Sequence, residues 1–139
     1  MRILALDFGE KRIGVAVSDP LGFSAQGLET IENKGKQRVF EALKKVCREF
    51  DAQELVIGLP INMNGTLGPK AKQVLELVPE LQSSLGIPIK TWDERLSSRQ
   101  VGRLMVEEGL SRAKQKQHSD QLAATLILQG YLESKRTKN

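Results

Sequence analysis

Residues 3–6 read Ile-Leu-Ala-Leu, an unbroken apolar run that ends on Asp7, with Gly9 two residues further on. A short continuous run of this kind fits a strand covered on both faces, which requires other elements layered above and below one sheet. An ionised carboxylate beside such a core is costly unless it is hydrogen-bonded, paired or bound to a cation. Asp7 therefore puts an anionic oxygen where a central strand runs out, the place where open α/β sheets hold their ligands. The competing reading makes Asp7 a cap for the turn Phe8-Gly9-Glu10-Lys11. Whether other carboxylates converge on Asp7 separates the two.

The pattern after Asp7 sets the order of elements. Ile13, Val15 and Val17 alternate with small residues, and the short turn before them predicts an antiparallel hairpin over 3–7 and 12–18. Residues 26–31 carry a weaker strand pattern. An amphipathic helix is expected over 37–50, with Val39, Leu43, Val46, Cys47 and Phe50 on one face. Leu55-Val56-Ile57 marks a buried strand over 54–58, ending at Leu59-Pro60. A polar, glycine-rich loop at 62–68 leads to Pro69, which suits the first turn of a helix. Its buried stripe is Val74, Val78, Leu81 and Leu85, with a bend expected at Pro79 and a stop at Gly86 and Pro88. A fifth strand follows at 87–92. Ser97 and Gln100 suggest a capping box that opens a helix burying Val101, Leu104 and Met105. Residues 109–117 read as a loop, and Ser119 as the cap of a last helix from Asp120 to about Ser134.

This order, β-β-β-α-β-α-β-α-α, predicts three antiparallel strands followed by strands parallel to the first and reached through helical crossovers. At 139 residues the chain is expected to form one domain. Its 40% apolar and 27% charged residues are those of a globular protein, and no run approaches the roughly 20 apolar residues of a membrane span. The first strand starts directly after Met1, so no secretory leader is expected, and a cytoplasmic location is. A lone cysteine, Cys47, on the apolar stripe of a helix excludes an internal disulfide and a cysteine-based zinc cluster, and reads as an inert thiol.

The net charge of +4 resides entirely in residues 111–139, where Arg112, Lys114, Lys116, Lys135, Arg136 and Lys138 face Asp120 and Glu133. The other 15 basic and 15 acidic residues cancel. A cationic segment on a neutral body favours a polyanion, through phosphate contacts and counterion release. Arg112, Lys114 and Lys116 lead directly toward an acid; 135–139 reads equally well as a solvated tail.

Three acidic positions fall at element ends that this topology gathers: Asp7 after strand one, Asp93-Glu94 after strand five, and Asp120 at the start of the last helix. A helix N-terminus gives Asp120 a structural reason to exist as well. Together the three suggest a site for a hard divalent cation, Mg²⁺ or Mn²⁺, which takes carboxylate oxygens and keeps several waters. Such an ion activates a water and offsets charge at a phosphodiester. Lys11, Arg95 and the basic stretch Arg112, Lys114 and Lys116 would hold the nucleic-acid backbone nearby. A surface ion pair is an equally good role for Arg95.

Asp-Phe-Gly at 7–9, Gly-Val-Ala-Val at 14–17, Gly-Leu-Pro-Ile-Asn-Met-Asn-Gly at 58–65, Asp-Glu-Arg-Leu-Ser at 93–97, and Asp120 before Ala-Ala-Thr-Leu-Ile-Leu-Gln-Gly-Tyr-Leu resemble the bacterial YqgF/RuvX family over essentially the whole chain. The resemblance implies an RNase H-like α/β fold, a five-stranded mixed sheet of order 3-2-1-4-5 with helices on both faces, related to Holliday junction resolvases. It also implies a nuclease that matures the 5′ end of pre-16S ribosomal RNA. Carried over by position, the metal-binding and catalytic acids are Asp7, Glu94 and Asp120, with Asp93 the weaker candidate because neighbouring strand residues face opposite ways. Two departures from the resolvases stand out. Strand four ends in Leu59-Pro60 where they place a glutamate, with Glu54 at the wrong end to replace it. Ala123 and Ala124 stand where a second helical acid can occur.

Other readings are weighed against this one. A Holliday junction resolvase acting on DNA would favour a dimer, whereas trimming one RNA end needs a monomer. A non-catalytic RNA-binding module would not need three acids. A sugar-kinase or actin-type nucleotide site requires a second domain. His118 reads as an exposed residue before a cap more readily than as a proton donor. Residues 62–66 read either as a phosphate cradle or as a turn at Asn64-Gly65.

Overall fold

The computed structural model describes residues 1–96 and 112–137, with side chains for 1–95 and 121–135. Five strands form one sheet: β1 (Arg2–Phe8), β2 (Arg12–Ser18), β3 (Ala25–Glu32), β4 (Ala52–Leu59) and β5 (Ile89–Asp93). Their order is β3-β2-β1-β4-β5, as expected. β1 pairs antiparallel with β2 and parallel with β4, so the most apolar strand is central and both its neighbours are buried too.

Strand alternation divides the core in two. Leu4 and Leu6 of β1, Val15 and Val17 of β2, and Leu55 and Ile57 of β4 face α1 (Lys36–Phe50) and α2 (Pro69–Leu85), meeting Val39, Leu43, Val74 and Leu81. Ile3, Ala5, Ala16 and Val56 face the other way, onto Ala124, Ile127, Leu128 and Leu132 of α3 (Arg112–Thr137). α2 begins at Pro69, runs through Pro79, and ends at Gly86 in the left-handed region, whose N–H reaches the Gln82 carbonyl at 2.8 Å. Cys47 is half-buried on the inner stripe of α1, and burial pushes its thiol pKa up, in keeping with an unreactive role.

One expectation fails. Residues 112–117 are helical rather than a loop, so Ser119 and Asp120 lie about two turns inside α3 and neither caps it. Ala113, Lys114, Gln115, Lys116 and Gln117 are all strong helix formers, and no glycine or proline interrupts them. Their polarity mimicked a loop; their propensity decides otherwise. The helix expected from Ser97, and residues 109–111, lie outside the described residues.

α3 is anchored at its far end. Buried Glu54, near the start of β4, accepts a hydrogen bond from the Tyr131 hydroxyl and an ion pair from Lys135 Nζ at 2.9 Å. Burial, then the bond to Glu54, pushes the Tyr131 pKa up. Gly130 lets α3 close on β5, since a Cβ there would lie 2.8 Å from the Trp92 ring. The C-terminal end of α3 thus sits where β4 begins, and the helix runs back toward the edge where β1 and β4 end. At that end Gln121 Nε2 donates to the Leu28 carbonyl at 3.0 Å. Leu28 is level with Val15, and Val15 with Leu6, one residue before Asp7.

Candidate active site at the carboxyl edge of the sheet

Asp7 leaves β1 on the α3 side of the sheet, by alternation from Ile3 and Ala5. It pairs with Gly14 of β2, while its predecessor Leu6 pairs with Ile57, the residue before Gly58. Asp7 therefore lies in a row flanked by two glycines, with no Cβ on either side strand to crowd its carboxylate.

Glu94 fills that space. It opens the 3₁₀ turn Glu94–Leu96 directly after β5, and its carboxyl folds back over Gly58. A Cβ on Gly58 would meet Glu94 Oε1 at 2.7 Å, Glu94 Cγ at 2.9 Å and Ile127 Cδ1 at 2.5 Å. Gly58 is thus a requirement of the site itself, beyond the backbone role its Gly-Leu-Pro setting suggests.

The two acids meet. Burial first, then a hydrogen bond to Asp7 and the Asp7 charge, lift the Glu94 pKa from 4.5 to about 9. In the protein alone the closely placed pair therefore favours holding a proton at neutral pH. The turn at 8–11 does not depend on Asp7. It is closed by the Gly9 N–H on the Arg12 carbonyl at 3.0 Å and by Asn33, whose side chain and N–H reach the Gly9 and Lys11 carbonyls. The capping alternative for Asp7 loses its reason.

Asp93 faces away from this pair and is engaged by Arg95, whose Nη2 lies 2.7 Å and Nε 2.9 Å from its Oδ2. That fork holds the Asp93 carboxyl below its usual range. The Arg95 guanidinium, expected among the nucleic-acid contacts, is thereby committed to the acid two residues before it. Lys11 is exposed on the β1–β2 turn at the edge where Asp7 lies. Asp120, Arg112, Lys114, Lys116 and His118 belong to the first half of α3, and their side chains lie outside those described. Helical spacing sets position 120 one turn before Ala124 and directly before Gln121, whose bond to Leu28 brings that stretch to the edge that carries Asp7.

The loop at 62–68 forms the turn expected at Asn64-Gly65 and turns much of its own backbone inward. Its Asn62, Gly65 and Thr66 N–H groups are taken by the Thr66 carbonyl, the Asn62 carbonyl and Asn64 Oδ1. Lys70, just after it in the first turn of α2, is a residue the sequence reading passed over. Its Nζ lies 4.0 Å from Glu10 Oε1, and its charge acts on Glu94 against the protonating influence of Asp7.

A divalent cation suits this donor set. Two carboxyls pressed together beside a core, with one forced to keep a proton, are the arrangement that a cation relieves. With no Cβ at Gly14 or Gly58, the strands flanking Asp7 leave room for the Glu94 carboxyl beside it.

Comparisons with known proteins agree on the whole chain. The family model described as "RuvX: Holliday junction resolvase" matches residues 1–134. Proteins named "Putative pre-16S rRNA nuclease" from Clostridium novyi and Clostridium kluyveri are each 52% identical. They match over 134 and 133 residues, covering 96% of this chain and 99% and 97% of theirs. Among solved structures, the Thermus thermophilus RuvC bound to a Holliday junction substrate aligns with a TM-score of 0.59 at 21% identity, over 98% of this chain and 96% of that one. The fowlpox virus Holliday junction resolvase aligns at 0.57 and 11% identity, over 97% of this chain and 99% of the other. These two likenesses establish the RNase H-like resolvase fold.

Proposed function

This chain belongs to the RuvX family of Holliday junction resolvases, and from that premise we propose that it is a metal-dependent nuclease with its reaction centre at Asp7, Glu94 and Asp120. The observation that carries the reading is the Asp7–Glu94 contact over Gly58, two acids held together at the mouth of the sheet. Asp7 is the central ligand, fixed at the end of the central strand. Glu94 joins it from the 3₁₀ turn. Asp120 completes the set from α3, on the strength of its register one turn before Ala124. Mg²⁺ or Mn²⁺ held by these oxygens would supply an activated water and offset the charge developing on the phosphodiester. Gly58 keeps the Glu94 carboxyl in place, and the Asp93–Arg95 fork fixes the turn that carries it. The first turns of α3 carry Arg112, Lys114 and Lys116, which would meet the nucleic-acid backbone beside the acids.

Precursor 16S ribosomal RNA is the substrate favoured by the names of the 52%-identical relatives, and the family resemblance points to its 5′ end as the target in ribosome maturation. One centre per chain suffices to trim one RNA end, so a monomer or weak homodimer can act. No helix among the described residues is long and apolar enough to cross a membrane, which suits action in the cytoplasm. The family description favours a second substrate, a four-way DNA junction.

The test incubates wild type and Asp7→Asn with a pre-16S 5′-end fragment and with a DNA four-way junction, each with Mg²⁺, Mn²⁺ or chelator. Wild type should cut the RNA only with metal, and Asp7→Asn should bind RNA without cutting it. Cutting in chelator, or by Asp7→Asn with metal, would sink the site. Cleavage of the junction alone would transfer the function to DNA, and binding without cleavage of either would make the chain an RNA-binding module.

A further inference from the structure

Two acids at the mouth of the sheet repel a phosphodiester, so a substrate needs cations beside them as well as between them. On this side of the pair, the arginine nearest in sequence is already spent: Arg95 makes a forked bond to Asp93. Lys70 differs. From the first turn of α2 its side chain reaches the β1–β2 turn, where Glu10 lies three residues beyond Asp7, so it passes the edge on which the acids stand. Its ammonium is close enough to Glu94 for its charge to be felt there.

Lys70 is also loosely held. Its separation from Glu10 is 4.0 Å, with side chains 60% and 82% exposed, against 2.6 Å for Lys36–Glu80 and 2.9 Å for Lys135–Glu54. An exposed pair at that distance contributes almost nothing to stability. A phosphate oxygen offers the ammonium a charge-assisted bond in its place.

We propose that Lys70 is a phosphate-binding residue of the nucleic-acid site: its ammonium leaves Glu10 and takes a non-bridging oxygen of the backbone where it passes the Asp7–Glu94 pair. This rests on the reading of that pair as the reaction centre. It adds a contact from α2, on the side of the acids away from α3. The nucleic acid is thereby gripped from both sides of the sheet edge.

The experiment measures binding of a fluorescent single-stranded RNA to the full chain in chelator, from about 50 to 200 mM salt, so that nothing is cut. Each phosphate contact on a single strand adds about 0.7 to the salt slope, and a purely ionic contact fades near 1 M. Lys70→Ala should therefore flatten the slope by about 0.7 and weaken binding about fivefold at 0.1 M. Lys70→Arg should keep the slope, and Glu10→Gln should keep or tighten binding by releasing the lysine. Thermal denaturation checks that Lys70→Ala remains folded, as an exposed helical position permits. An unchanged slope and affinity overturn the assignment. So does tighter Mg²⁺ binding by Lys70→Ala with unchanged RNA affinity, because Lys70 is then merely the counter-ion of the acids. Failure of the reaction-centre reading appears elsewhere, as cleavage by Asp7→Asn, and is not confused with either result.

Discussion

Gly58→Ala is the sharpest probe of the site, because one methyl group meets two walls at once. The new Cβ would lie 2.7 Å from Glu94 Oε1 and 2.5 Å from Ile127 Cδ1, where ordinary contacts begin at 3.4 Å. The Glu94 carboxyl must therefore retreat by about 0.7 Å, the difference between 3.4 and 2.7 Å, and Ile127 by about 0.9 Å. The offending atoms, Glu94 Cγ at 2.9 Å among them, all belong to side chains rather than backbone, so the fold yields. Overpacking of this kind costs about 1–3 kcal/mol, offset in part by about 0.5 kcal/mol from a stiffer unfolded chain. A net loss of about 1–2 kcal/mol corresponds to a fall in Tm of about 3–6 °C at this chain length. Catalysis should suffer more, since displacing a reacting group by about 1 Å can cost about 100-fold. The assay pairs calorimetry with metal-dependent cleavage of the RNA fragment. Adding Ile127→Val removes the Cδ1 atom, so the double variant should lose less stability than the two single changes together while its cleavage stays low. Wild-type cleavage by Gly58→Ala would refute the reasoning, for the Glu94 carboxyl would then not need its place over Gly58.

Three other outcomes follow from the same geometry. Glu94 titrates near 9 in the folded protein and near 4.5 when unfolded, so between these values the metal-free fold binds the extra proton and must lose stability as pH rises. The slope is at most about 1.4 kcal/mol per pH unit and should vanish in Glu94→Gln, which chemical denaturation across pH 5–9 in chelator would read. Tyr131→Phe leaves buried Glu54 with Lys135 alone and should cost about 1–2 kcal/mol with cleavage intact, measured by urea denaturation; a large loss of activity would show that α3 must be anchored at both ends. Replacing Arg112, Lys114 and Lys116 by alanine together should flatten the salt dependence of RNA binding by up to about three contacts, and an unchanged slope would mark that stretch as merely solvated.

What was legible in the chain, and what was not, divides along the range of the forces involved. The apolar run 3–6 and the alternation at Ile13, Val15 and Val17 are local patterns, and they suffice for the central strand and its antiparallel partner, while the full sheet order rests on the family resemblance. Asp7 stands out for the same reason, as a charge at the end of a buried strand, whereas Glu94 follows the edge strand β5 and stands out as an acid at an element end. The start of α3 carries a polar stretch that resembles a loop, while the propensity of the same residues favours the helix it forms. Gly58 could not be weighed locally at all. Its constraint comes from Glu94 and Ile127, 36 and 69 positions away, and exists only once β4, β5 and α3 are packed. Lys70 was hidden likewise, since its meaning depends on a turn sixty residues earlier. The two residues that pattern reading undervalued are thus those whose partners are distant in sequence. They are also the two that bear most directly on the acids: Gly58 leaves the space in which Glu94 is forced against Asp7, and Lys70 supplies the nearby positive charge. A site of this kind is built from local signals at its centre and from long-range packing at its walls.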